Sequence, residues 1–167
     1  MTDDDGAPKR KRRTGGRGAR PTLNRDVIVA TALAIIDADG LESLSMRKLG
    51  AQLGVDPMAV YYHLPNKAAL FDGVVEAILS ELGQDLISLA AKWKPDDEWS
   101  SEVVAVMSTY REVLRRHPYA LPVVSTRPVR SPEALASFER ILDAYTRAGF
   151  DLQSAVFAMT CAVEFTI

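Results

Sequence analysis

Residues 44 to 64 read L-S-M-R-K-L-G-A-Q-L-G-V-D-P-M-A-V-Y-Y-H-L, and this stretch restricts the fold more than any other. Ser45 is placed to cap a helix over Met46 to Leu53, and Gly54 stops it, because a helix end in the left-handed region favours glycine. Asp56 followed by Pro57 opens a second short helix ending near Leu64, with the ring at the first helical position where no N–H is needed. Two helices of about two turns, joined by a turn of three or four residues, make the helix-turn-helix layout. Leu49, Leu53, Val55, Val60 and Leu64 fall where the pair must pack on itself and on a third helix. Gly50 lets the backbones approach closely. These apolar positions carry structure and nothing more.

The rest of the chain supplies helices to pack against. Asn24 caps a first helix to Asp39, where Val27, Ile28, Ala32, Ile35 and Ile36 make one apolar face and Gly40 takes the terminating position. Asn66 starts a long helix toward Ala90 with the stripe Leu70, Phe71, Val74, Val75, Ile78, Leu79, Leu82. Lys94-Pro95-Asp96-Asp97 interrupts the pattern. Further helices are expected from Glu98 to Arg116, near Tyr119 to Val124, from Ser131-Pro132-Glu133 to Gly149, and from Asp151 onward, still running at Ile167. The chain is therefore expected to be C-terminally incomplete. No run has the period-2 alternation of a strand between hairpin turns. The expected fold class is all-α: an N-terminal three-helix helix-turn-helix domain followed by a helical body.

Charge is distributed unevenly, and the formal total of −2 conceals it. Residues 9–67 hold eleven basic side chains against five acidic ones, whereas residues 68–167 hold nine against fourteen. A basic first third on an acidic body suits a chain that presents one end to a polyanion. Most of the excess lies between Lys9 and Arg20, in a tail with almost nothing apolar to bury, so residues 1–21 are expected to be a disordered basic arm. That arm either tracks phosphates, with Arg17-Gly18-Ala19-Arg20-Pro21 as a minor-groove hook, or is a solubilising tail. Cys161 is the sole cysteine, which excludes an intrachain disulfide and makes the cytoplasm the expected compartment. Its apolar surroundings predict a buried small hydrophobe. No apolar leader or stretch of about 18 apolar residues indicates secretion or a membrane partner.

The residues left over on the third helix point to chemistry. With Val60 and Leu64 facing inward, Met58, Ala59, Tyr61, Tyr62 and His63 cannot all be buried. Phenol and imidazole groups can bond phosphate oxygens, and Met58 or Ala59 can touch a thymine methyl, so the face suits a DNA groove. The competing reading packs Tyr61 and Tyr62 laterally on the fourth helix. A small helical enzyme using His63 or Cys161 lacks a nucleophile–base pair, a metal-ligand spacing and a phosphate loop, so neither enzyme, cofactor nor metal site is expected. A protein-interaction module built on Tyr61 and Tyr62 is the other alternative.

From Asn24 to Leu82 the chain resembles the DNA-binding head of the tetracycline-repressor (TetR) family. The carriers are G-L-x-x-L-S-M-R-K-L-G-A-Q-L-G-V and Y-Y-H-L-P-N-K-A-A-L. Farther on, Ser125-Thr126-Arg127-Pro128 and Ala148-Gly149-Phe150 resemble the family's tetracycline-repressor branch. The resemblance implies an arm at 1–21, a DNA-binding domain at 22–68 and a regulatory and dimerisation domain at 69–167. It implies Arg47 on a guanine edge, Met58 and Ala59 at the base-reading start of the third helix, and Tyr61, Tyr62 and His63 on backbone and adjacent bases. Lys67 would sit on a phosphate at a helix N-terminus. Met46 stands where the family often has Thr or Ser, which removes one hydroxyl contact.

The same resemblance implies a repressor that binds a palindromic operator as a homodimer and is released by a small-molecule effector. Effector-pocket candidates are Met107, Tyr110, Val123, Thr126, Phe138 and Phe157, each of which can equally be core. Gly83 and Val123 stand where tetracycline-binding members carry histidines that help hold a magnesium-chelated drug. The effector expected here is therefore another molecule.

Overall fold

The computed structural model describes residues 22–91, 98–129 and 132–167. Eight helices are present among them: α1 Arg25–Asp39, α2 Met46–Leu53, α3 Pro57–His63, α4 Lys67–Ala90, α5 Trp99–Arg116, α6 Leu121–Val124, α7 Pro132–Arg147 and α8 Leu152–Thr166. No described residue lies in a strand. Short 3-10 turns at Leu41–Ser43 and Pro118–Ala120 complete the order. The first went unanticipated, and the second takes up the start of the helix expected at Tyr119.

The caps account for the borders. Asn24 accepts from the Val27 N–H at 2.8 Å, Ser45 from Lys48 at 3.1 Å, Asp56 from Met58 at 2.8 Å and Asn66 from Ala69 at 2.8 Å. Each satisfies a donor that the helix geometry leaves open. Gly54 takes the left-handed conformation at φ 69°, ψ 33°, which turns the chain from α2 toward α3 without a Cβ clash.

One apolar cluster runs through the whole structure. Ile28, Ala32 and Ile36 of α1 meet Leu49 of α2 and Val60 of α3, all fully buried. Along α4, Leu70 and Val74 share this head cluster, and Ile78, Leu79 and Leu86 carry it on to Val106 and Val113 of α5. Twenty-four residues of α4 make a rod of about 36 Å, so a single rigid element serves both the head and the body. The apolar cluster is thus continuous across residue 68. Cys161, expected to be buried, is exposed, because α8 turns Ala155 inward and leaves much of its surface uncovered. No described helix is long and apolar enough to cross a membrane.

Candidate nucleic-acid interface

Helix α3 is held from one side only. Val60 is fully buried and Leu64 nearly so, which fixes the rotation of a seven-residue helix and turns its remaining positions outward. Met58 is 71% exposed and Tyr62 88%. Tyr61 is also exposed, and Ala59 and His63 are half-buried beside them. The rings of Tyr62 and His63 meet edge to face at 5.4 Å. The lateral packing of Tyr62 on α4 is not the arrangement found, since its ring stands almost wholly in solvent.

Helix α2 adds the charge. Arg47 is exposed and takes part in none of the ion pairs found among the described residues, whereas its neighbour Lys48 is bound to Asp39 at 2.7 Å. The two cations are thus not equivalent: one is committed to the fold and the other is available. Lys67, at the first position of α4, is exposed with its ammonium 5.2 Å from the centre of the Phe71 ring. The Arg127 guanidinium lies 5.3 Å from the centre of the same ring, donates to the Ala68 carbonyl at 3.1 Å and pairs with Asp72. Sequence reasoning gave Arg127 no role here, since the residues it holds are 55 and 59 positions away. Arg47 on α2, Met58, Tyr61 and Tyr62 on α3 and Lys67 at the start of α4 are thus all exposed. Arg17 and Arg20 lie outside the described residues.

Behind the head, a cleft of about 960 Å³ opens between α5 and α8. Val103, Met107, Leu114 and Leu121 give it apolar walls, and Arg111 and Arg115 bring charge to it. Met107 is the pocket candidate placed here. Tyr110 and Val123 lie in the core, and Phe138 is half-buried against it. Thr126 is exposed, its hydroxyl donating to the Pro122 carbonyl at 2.6 Å, and Phe157 is 71% exposed. Burial, and then the nearby Glu164 carboxylate, push the Tyr110 phenol up to about 12. Gly83 offers no ligating side chain and Val123 only an apolar one, and no cluster of metal-ligating residues occurs among the described residues.

The fold and this surface define a class: an all-helical protein with a helix-turn-helix head on a helical body. Residues 28–74 match the bacterial regulatory proteins of the tetR family, and residues 93–167 match the tetracyclin repressor-like C-terminal domain. The chain belongs to the tetR family. It is 32% identical over 160 residues to an HTH-type transcriptional regulator of Saccharopolyspora erythraea, covering 96% of this chain and 63% of the relative. It is 36% identical over 132 residues to the HTH-type transcriptional repressor DrrR1 of Streptomyces coeruleorubidus, covering 78% and 46%. The Streptomyces coelicolor TetR family protein ActR in complex with actinorhodin superposes with a TM-score of 0.76 at 26% identity, over 87% of this chain and 65% of that one. The chain thus spans less than two thirds of the length of each of these relatives.

Proposed function

We propose that the chain is the operator-binding and effector-responsive part of a cytoplasmic transcriptional regulator, most simply a repressor. The observation that carries this is the one-sided burial of α3, which turns Met58, Tyr61 and Tyr62 outward, together with an exposed Arg47 on α2 that enters none of the ion pairs found among the described residues. Phenols, an imidazole and a cation on the two helices of a helix-turn-helix suit phosphate and base-edge recognition. Arg47 reads a guanine edge, Met58 and Ala59 meet bases, Tyr61, Tyr62, His63 and Lys67 hold the backbone, and Arg17 and Arg20 add phosphate contacts.

The uncovered side of α8 supports a homodimer, which would place two heads on the halves of a palindrome. Phe157, Cys161 and Phe165 recur at four-residue spacing on it, so they form one row, and Phe165 is 95% exposed. The effector reading centres on Met107 and the cleft, with Tyr110, Val123, Thr126, Phe138 and Phe157 as the residues that shape its surroundings. Without ligating side chains at 83 and 123, a magnesium-chelated tetracycline is not the effector expected. ActR with actinorhodin shows that a protein of this fold accommodates a small molecule.

Binding of Arg47→Ala and Tyr62→Ala to a selected duplex tests the central reading. Each should lose about 1–3 kcal/mol of specific affinity, with unfolding midpoints close to wild type because both side chains are exposed. Specific affinity unchanged in both variants would refute it.

A further inference from the structure

Where α5 ends, two consecutive residues bind three carboxylates from other elements. Arg116 pairs with Glu81 at 2.6 Å and donates to Asp85 at 2.5 Å, both on α4. His117 places Nδ1 2.9 Å from Asp37 on α1 and Nε2 2.9 Å from Glu81. The imidazole side chain is only 11% exposed. The chain then turns through Pro118–Ala120, whose own ionisable side chain, Tyr119, is exposed. The groups facing the ring are therefore Asp37 from α1, Glu81 from α4, and Arg116 beside it on α5.

Asp37 depends on this ring. Its other carboxylate oxygen is buried with no hydrogen-bond partner among the described residues, whereas Glu81 also has Arg116. A carboxylate only accepts, and a neutral imidazole donates from one nitrogen alone. Both 2.9 Å contacts are hydrogen bonds only when both ring nitrogens carry protons. In the neutral ring one nitrogen turns its lone pair toward a carboxylate, and one of the two hydrogen bonds is lost.

We propose that His117 is a positioning residue that sets the reading head on the body, its doubly protonated ring clasping α1 to α4. The seat of the head on α4 then depends on a proton, and with it the separation of the two heads that a palindrome requires. That last consequence rests on the operator-binding reading; the clasp does not. The clasp is strongest where the ring carries two protons and loosens as pH rises and one is lost.

The test compares wild type with His117→Gln, whose amide can donate but does not titrate, across about pH 5 to 8, where histidine changes charge. Urea unfolding and affinity for a selected duplex are measured in parallel. The stability advantage of wild type should be largest at the acid end and shrink as pH rises. Its affinity advantage should shrink with it. His63 is common to both proteins, so the comparison isolates position 117. Should His117→Gln fail to fold, Asp37→Asn removes the ionised partner while keeping its shape, and should flatten the profile. Parallel wild-type and variant profiles at every pH would overturn the proposal. The stability pattern without duplex binding at any pH would support the clasp and refute only the operator reading.

Discussion

Gly50 shows how closely α2 and α3 approach. A Cβ there would come within 3.0 Å of the Val55 carbonyl oxygen and 3.2 Å of the Pro57 nitrogen, both backbone atoms that cannot swing aside. Gly50→Ala should therefore force the two helices apart and cost about 1–3 kcal/mol, as overpacking does, read as a lower urea midpoint. Unchanged stability would mean that the turn has slack this geometry does not show. Gly73 is tighter still, since its imagined Cβ meets Cγ2 of Val29 at 2.6 Å, on a buried β-branched side chain with little rotamer freedom. At this scale the outward face of α3 was legible by elimination: once Val60 and Leu64 are inside, the tyrosines have nowhere else to go. Pairings over long sequence distances were not legible. Nothing in the text of the chain links His117 to a residue 80 positions earlier, and only the crossing of α1, α4 and α5 brings them together.

Helix borders follow from local chemistry, which is why they could be read ahead of the fold. Five side-chain caps, the fifth Asp151 at the start of α8, and a left-handed glycine are short-range devices, complete within a few residues. Asn66 has a further consequence, since it starts the helix whose first residue is Lys67. Asn66→Ala should cost about 1 kcal/mol and weaken duplex binding by fraying the turn that orients the ammonium; a midpoint equal to wild type would show that the cap is redundant. The body was less legible. Its apolar stripes were clear, but a stripe records that a residue is covered and not by what. Tyr110 and Val123 proved to be packing among the core helices, and Met107 a wall of the cleft. Cys161 was misjudged for the same reason, because the apolar run of α8 serves two faces and Ala155, not the thiol, is the one turned inward.

Across the whole molecule, α4 is the element that joins the parts. Its N-terminal turn carries Lys67 and is held by Arg127 from beyond α6, its middle fills the common core, and Glu81 and Asp85 tie it to the end of α5. A ligand in the cleft between α5 and α8 can change the head only through such contacts, and only if it binds two arrangements of them with different affinity. The central claim remains that the outward face of α3, with Arg47, reads a DNA sequence. The measurement that tests it most directly is selection of bound duplexes from a random pool by the wild-type chain and by Arg47→Ala. The wild type should enrich one palindromic sequence with half-sites about one helical turn apart, and Arg47→Ala should lose the preference at one symmetric pair of positions. No enriched sequence from the wild type, or the same sequence enriched equally by the variant, would contradict the account.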